Sequence, residues 1–495
     1  MATKPHIVIF NPDQWRGDVM GHLGNPAART PVLDKLVAED AVSFRWAFCQ
    51  NPVCTPSRCS FMTGWYPHVR GHRTMHHMLH PERGEPMLLN ILKEEGYHVL
   101  WSGKNDVVPG QDPKDRYAES WPDRELYELQ PNWHGPVYEE ARGEKGSDSY
   151  YSFYDGKLEK LPGEDYYHDD DWLCVMEAIR LIRNRPDDRP LCIYLPLVYP
   201  HPPYGVEDPF YSRIDRDAIP PRVPMPEGHH DKPYILYNLR RNFGMQNWTE
   251  ERWTELRAVY YGMCMRMDAL LGELLNALRE EGIYDDTALF FFADHGDFTG
   301  DYDLVEKTQN TFEDCLTRVP FVIKPPAWAP VQPRVSEAMV ELTDLTATVE
   351  ALTGIEPQHT HFGRSLLPVL TGETDAHRDA VFCEGGRLHG ERHCMELESA
   401  QYQDPSGLYW PRLSLQRKEG PEHSKAVMCR TQEFKYVRRL YESDELYDLR
   451  ADPGELDNRI DDPALAGVLA ELKERLLTFY LETGDVVPHD PDQRN

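Results

Sequence analysis

HIVIFNPDQ, residues 6–14, sets an unbroken apolar run against an aspartate and a glutamine that follow within four positions. A short apolar run with no alternation reads as a strand buried on both faces, the habit of parallel sheets covered by helices. In open α/β sheets ligands bind beyond the carboxyl ends of the strands, so Asp13 and Gln14 stand where a site would form. TALFFFADHGD, residues 287–297, repeats the pattern: an apolar run, then Asp294 and His295. Two carboxylates, an amide oxygen and an imidazole brought to one edge would hold a divalent metal ion. Oxygen ligands favour Ca²⁺, Mg²⁺ or Mn²⁺, and the imidazole tilts the choice towards Mn²⁺ or Zn²⁺.

Outward from these two strands, helices and strands alternate. TPVLDKLVAED (30–40) reads as a helix with Thr30 as N-cap and Pro31 in the first turn. LLNILKEEGYHVLWSGK (88–104) gives helix, glycine stop and strand, and DDDWLCVMEAIRLIRNR (169–185) followed by PLCIYLPLV (190–198) gives helix and strand again. A long helix from about Glu250 to Glu281 precedes TALFFF, RVPFVIKPP (318–326) adds a strand, and LTDLTATVEALTG (342–354) a helix ending at Gly354. This order predicts an α/β fold with a large mixed, mainly parallel sheet flanked by helices on both faces. The pattern changes near residue 375. KAVMCRTQEFKYVRRL (425–440) reads as two short strands and PALAGVLAELKERLLTFYLETG (463–484) as one amphipathic helix. We therefore divide the chain into a catalytic domain, 1–375, and a C-terminal α+β subdomain with a short antiparallel sheet, 376–495. The Pro- and Asp-rich section from about 105 to 170 lacks periodicity and reads as a loop-rich insertion beside the site.

Composition narrows the partners. With 83 acidic against 53 basic residues the formal charge is −30, which argues against nucleic acid or an anionic membrane surface. An anionic substrate would need a local cationic pocket. The apolar run near the N-terminus is too short for a signal-peptide core, and nothing approaches a membrane span, so a cytoplasmic location is expected. Ten cysteines scattered from Cys49 to Cys429 fit reduced thiols better than a disulfide framework. The spacing of Cys49, Cys54 and Cys59 is not that of a zinc knuckle.

The segment NPVCTPSRCSFMTG, residues 51–64, carries Cys54, Pro56, Ser57 and Arg58 in the pattern Cys-x-Pro-Ser-Arg, extended by Thr63 and Gly64. With its flanks, and with ADHGD (293–297), EKTQNTFED (306–314), TRVPFVI (317–323) and the C-terminal QEFKYVRRLYESDELYDLRADPGELDN (432–458), it resembles the type I sulfatases of the alkaline-phosphatase-like superfamily over nearly the whole chain. The resemblance implies that a formylglycine-generating enzyme oxidises Cys54 to Cα-formylglycine. One hydroxyl of its hydrate attacks sulfur and the other expels sulfate, which a bare thiol could not do. It also implies that Arg58 holds this residue, that Lys104 and Lys307 bind the ester oxyanions, and that His201 stands by the leaving-group oxygen and can protonate it. Asp13, Gln14, Asp294 and His295 become the metal ligands, with Ca²⁺ the leading ion and Mn²⁺ or Zn²⁺ the alternatives. The expected substrate is an aryl or carbohydrate sulfate monoester; homo-oligomerisation stays open.

Two departures from the family pattern matter. Asp106 stands where a histidine usually follows the lysine, which leaves Asp106 or a nearby histidine such as His72 as candidate base at the substrate. The pairs Asp-Gln and Asp-His also resemble those of phosphonate monoester hydrolases, so hydrolysis of phosphonate monoesters or phosphodiesters is the alternative. Residues 201–234 and 383–410, with the insertion, are expected to wall the pocket.

Overall fold

A computed structural model describes residues 4–110, 114–130, 142–226, 231–396 and 404–489. The remaining parts of the expected pocket walls, within 105–170, 201–234 and 383–410, lie outside the described residues. The strands are β1 (His6–Asp13), β2 (Val42–Phe48), β3 (His98–Trp101), β4 (Tyr154–Leu158), β5 (Leu191–Pro200), β6 (Tyr204–Glu207), β7 (Thr287–Phe292), β8 (Arg318–Val319), β9 (Phe321–Lys324), β10 (Arg334–Glu341), β11 (Val381–Gly385), β12 (Ala426–Arg430), β13 (Phe434–Arg439) and β14 (Glu445–Asp448).

The main sheet runs β10-β2-β9-β7-β1-β5-β3, with β8 paired to β2. Its parallel pairs are β1 with β5 and β7, β3 with β5, and β10 with β2. RVPFVIKPP departs from the parallel expectation: β9 runs antiparallel to both β7 and β2, and β8 antiparallel to β2. Because β9 reverses direction between them, β2 and β7 point the same way. The carboxyl ends of β1, β2, β3, β5 and β7 therefore share one edge, and all the chemistry collects there.

The helices Pro31–Glu39 and Asp170–Arg183 pack on Glu250–Glu280, whereas Leu88–Glu94 and Asp344–Thr353 pack on Cys54–Thr63. Every residue of β7 is buried, as an unbroken apolar run requires. The smaller sheet, β11-β12-β13-β14, is antiparallel throughout. Its period-2 alternation splits its faces: Ala426 and Met428 join the main core, whereas Val427 and Cys429 join a second cluster with Leu472, Leu476 and Phe479 of the helix Ala466–Thr483. The C-terminal part thus shares the catalytic core on one side and carries its own helix on the other. No helix among the described residues is long and apolar enough to cross a membrane.

The start of the helix Pro31–Glu39 differs from its sequence reading. Thr30 is the N-cap residue, but its side chain caps no helix N–H; the hydroxyl instead bonds Asp34 at 2.9 Å. Asp268, from the long helix, takes over by accepting from Val32 N (2.9 Å) and Leu33 N (2.8 Å). Asp268→Ala is expected to cost about 2 kcal/mol in urea unfolding, since it strands two buried donors. Burial raises the Asp268 carboxyl to about 7. The folded state therefore holds its proton more tightly than the unfolded chain, and the stability linked to this group falls as pH rises from about 4 to 7. Asp268→Asn should remove that slope in unfolding curves taken across this range; an unchanged slope would contradict the assignment.

Candidate active site

Cys54 opens the helix Cys54–Thr63 immediately beyond β2, and no side chain caps that helix end. The free N–H groups and the positive end of the helix dipole therefore face the carboxyl edge of the sheet. Cys54 Sγ lies 3.2 Å from His295 Nε2, 3.6 Å from Asp13 Oδ1 and 3.7 Å from Lys104 Nζ. Burial, reinforced by Asp13, pushes the thiol above its ordinary range, so the unmodified side chain is a poor nucleophile.

Asp13 ends β1 and is wholly buried. Its Oδ2 accepts from Lys104 Nζ at 2.7 Å and Arg58 Nη2 at 3.1 Å. Against the cost of burial, Lys104 and then Arg58 hold this carboxyl well below the usual range. Arg58 also donates from Nε to Asp294 Oδ2 at 2.8 Å. Its guanidinium thus locks the two carboxylates together through Nε and Nη2. Ser57 fixes the same turn from behind, its hydroxyl donating to the Asp294 carbonyl at 2.6 Å.

The metal-ligand set fits a hard cation. Asp13, Cys54, Asp294 and His295 each place a ligand atom within 4.8 Å of the others, all buried. His295 engages the Gly296 carbonyl through Nδ1 at 2.9 Å, which leaves the Nε2 lone pair facing Asp13 Oδ1 at 3.5 Å. Gln14 sits at φ 70°, its N–H on Asp294 Oδ1 at 3.2 Å. Gln14 Nε2 donates to Asp297 Oδ2 at 2.6 Å, so Oε1 turns to the opposite side, where Lys307 Nζ meets it at 2.8 Å. Two carboxylate oxygens and a ring nitrogen converge with Cys54 Sγ, and a divalent cation would satisfy them.

Lys104 follows Gly103, whose φ of 144° and close approach to the Pro196 carbonyl leave no room for a side chain. The Lys104 N–H then bonds Pro196 O at 2.8 Å, tying the residue to β5. Asp106 Oδ2 lies 2.9 Å from Lys104 Nζ. Burial disfavours the ammonium, but Asp106 and then Asp13 keep it charged. Asp106 therefore belongs to the lysine. His72 is elsewhere: its ring faces the His77 carbonyl at 3.0 Å and Glu85 at 3.3 Å, and among the described residues it contacts neither Cys54 nor Asp13. The expectation of His72 as a base at the substrate is not met, because the turn after Gly71 directs it towards Glu85.

His201 lies just past β5 and is buried. Nδ1 donates to the Pro202 carbonyl at 2.6 Å, and Nε2 accepts from Lys307 Nζ at 2.8 Å. Burial, then Lys307, pushes its pKa well below the ordinary value, so the ring is neutral at pH 7. Burial works against the Lys307 ammonium, yet the carboxylates of Glu306, at 2.9 Å, and Asp13 keep it charged. A proton delivered from this pair stands on Lys307 rather than on His201 as the resemblance implied.

Asp297 and Tyr204, to which the sequence reading gave no site role, hold the site from behind. Asp297 receives Gln14, the Tyr204 hydroxyl (2.9 Å) and both Thr299 N (2.6 Å) and Oγ1 (2.8 Å). Burial raises its carboxyl to about 6. ADHGD carried the signal, since Asp297 follows His295 by two and Gly296 has no space for a Cβ against the Cys315 carbonyl.

A poised residue 54 beside a cation site and three charged basic side chains defines a hydrolase of anionic esters. The sulfatase family model matches residues 5–355. The multifunctional alkaline phosphatase superfamily protein PehA of Trinickia caryophylli is 26% identical over 523 residues, covering 98% of this chain and 96% of its own. Choline-sulfatase of Rhizobium meliloti is 26% identical, covering 93% of this chain and 83% of its own. Among solved structures, the phosphonate monoester hydrolase of Agrobacterium radiobacter superposes with a TM-score of 0.72 at 22% identity, over 99% of this chain and 100% of that one, and shares the fold. The chain belongs to the sulfatase family and is a sulfuric ester hydrolase. Sulfatases in general use a metal and a formylglycine, and the buried cluster of Asp13, Cys54, Asp294 and His295 could hold such an ion.

Proposed function

We propose that the protein hydrolyses a sulfate monoester of an aryl or carbohydrate alcohol at residue 54, after a formylglycine-generating enzyme has converted Cys54. The observation that carries this reading is the position of Cys54 Sγ at a helix N-terminus, 3.2 Å from His295 Nε2 and 3.7 Å from Lys104 Nζ. Formylglycine would supply an oxygen nucleophile with a second hydroxyl for release of sulfate, and a divalent ion held by Asp13, Gln14, Asp294 and His295, calcium in this reading, would polarise the ester. Lys104, 3.7 Å from Cys54 Sγ, and Lys307, on Gln14 Oε1 at 2.8 Å, would offset charge on the equatorial oxygens. Lys307, hydrogen-bonded to His201 Nε2, holds the proton nearest the leaving-group side. Arg58 holds both carboxylates in place.

Hydrolysis of phosphonate monoesters is the second reading, favoured by the ligand pairs Asp13-Gln14 and Asp294-His295. A panel of aryl, choline and carbohydrate sulfates beside phosphonate monoesters separates the two. Preference for a sulfate by orders of magnitude in kcat/KM, with stoichiometric calcium, is expected; phosphonate preference with manganese or zinc would overturn the first reading.

Asp106 tests the lysine pocket. The 2.9 Å pair with Lys104 predicts that Asp106→Asn weakens oxyanion binding and slows both half-reactions about tenfold. Pre-steady-state measurement should show no burst of alcohol. A burst followed by slow turnover would instead make Asp106 the base of the second half-reaction.

A further inference from the structure

Two segments that the chemistry above does not use meet at Arg73: residues 71–80, after the signature helix, and residues 386–396, after β11. Arg73 Nη1 donates to the Gly386 carbonyl at 2.6 Å, and Nη2 holds both oxygens of Glu391 at 3.0 Å. Leu388 N adds a bond to Glu391 Oε2 at 2.7 Å. The carboxylate is thereby fixed, and Oε1, which takes one donor among the described residues, keeps a lone pair.

Around that carboxylate stand a thiol and two imidazoles. Glu391, His393 and Cys394 each place a ligand atom within 4.8 Å of the others. The local fold explains it: Glu391 heads the 3₁₀ turn Arg392–Cys394, and side chains three apart eclipse in such a turn, which sets Cys394 Sγ 3.9 Å from Glu391 Oε2. Cys394 is 7% exposed, whereas His393 is exposed, so the cluster has a buried floor and a side open to solvent. His77 faces it from the other segment, its ring centroid 6.1 Å from that of His393. Two imidazoles on one tetrahedral zinc have centroids about 5 Å apart, so a small side-chain movement brings both onto one ion. Thr74 Oγ1 holds His77 Nδ1 at 2.7 Å and His72 Nδ1 meets the His77 carbonyl at 3.0 Å, which fixes the residue and leaves Nε2 for a metal. The ion pair with Arg73 accounts for Glu391 alone; it gives no reason for sulfur and two ring nitrogens to gather there.

We propose that His77, Glu391, His393 and Cys394 bind a zinc ion, distinct from the metal of the catalytic cluster, that clips the segment 386–396 to the turn 71–80. Thiolate and imidazole ligands suit zinc better than a hard cation such as calcium. Arg73, Leu388 N and Thr74 orient the ligands from behind. The far end of the clipped segment reaches the catalytic loop, because Glu396 Oε1 accepts from Gln309 Nε2 at 3.0 Å, two residues beyond Lys307. The ion steadies that wall and takes no part in the reaction at residue 54, so the proposal stands apart from the choice of substrate.

The test uses the full chain with Cys54→Ala, which leaves no thiol at the catalytic cluster, in excess calcium and with Co²⁺ as the probe. Titration followed by absorption is expected to give one equivalent of cobalt with a thiolate-to-cobalt charge-transfer band and the strong visible bands of a tetrahedral ion, both lost when zinc displaces it. Cys394→Ser should erase the charge-transfer band. His77→Ala and His393→Ala should each weaken cobalt and zinc binding at least about tenfold. His393→Ala changes an exposed side chain and decides the matter if Cys394→Ser fails to fold. In the wild-type chain, zinc should also shield Cys394 from alkylation, read by peptide mass. Absence of a thiolate band in excess calcium, a band that survives Cys394→Ser, or an affinity unchanged in His393→Ala would overturn the proposal.

Discussion

Cys54→Ala is expected to lower turnover by at least about 10⁴-fold while the protein remains folded and metal-loaded. Among the described residues, residue 54 is the one side chain that meets the cation site, Lys104 and the helix N-terminus together. Cutting it back to a methyl group removes the reacting atom and leaves Asp13, Asp294 and Arg58 joined as before. The cost in stability should be about 1 kcal/mol, since one sulfur atom is lost from a buried position. Cys54→Ser should also be nearly inactive, because a single hydroxyl can be esterified but offers no second oxygen to release the product. Steady-state assays on purified protein with thermal unfolding and elemental analysis check both halves. Activity surviving in the alanine variant would refute the assignment of the nucleophile.

Asp13→Ala should do damage of a different kind. Its carboxylate meets Lys104 at 2.7 Å, Arg58 at 3.1 Å and the cation site, so removal breaks two ion pairs and leaves Lys104 with Asp106 alone and Arg58 with Asp294 alone. Breaking a buried pair in this way costs about 3–5 kcal/mol, and the metal should be lost with it. The pH dependence follows from the same contacts. A carboxyl held below its unfolded pKa contributes stability that is present above about pH 4 and lost as pH falls through the folded value. The acid limb of the wild-type unfolding curve should therefore flatten in the variant, and bound metal should fall well below stoichiometric. A variant of wild-type stability that retains its metal would contradict the described geometry.

How much of this was legible in the sequence depends on the range of the interactions. HIVIF and TALFFF announced themselves because strands buried on both faces need unbroken apolar runs, and the residues after them fell at the ligand edge by topology alone. The signature around Cys54 is local, so it survives in one dimension. What could not be read were relations made by distant chain segments. The direction of β9 depends on which neighbours it pairs with, and its own apolar run reads the same in either direction. Thr30 has the side chain of a cap, yet Asp268, more than two hundred residues away, performs the capping. The resemblance assigned Arg58 to residue 54, and only the fold shows Asp13 and Asp294 within its reach as well. His72 was near Cys54 in sequence only. Asp297 and Tyr204 act through Gln14 and Glu306, and nothing in their local sequence records those partners.

The most direct test of the account is the mass of the tryptic peptide Trp46–Arg58 from active enzyme. It contains two cysteines, Cys49 and Cys54. The account predicts that one of them, Cys54, has exchanged its CH₂SH group for an aldehyde or its hydrate, that only Cys49 takes up an alkylating reagent, and that specific activity rises in proportion to the converted fraction. Full activity in protein whose peptide carries two alkylated cysteines would contradict it.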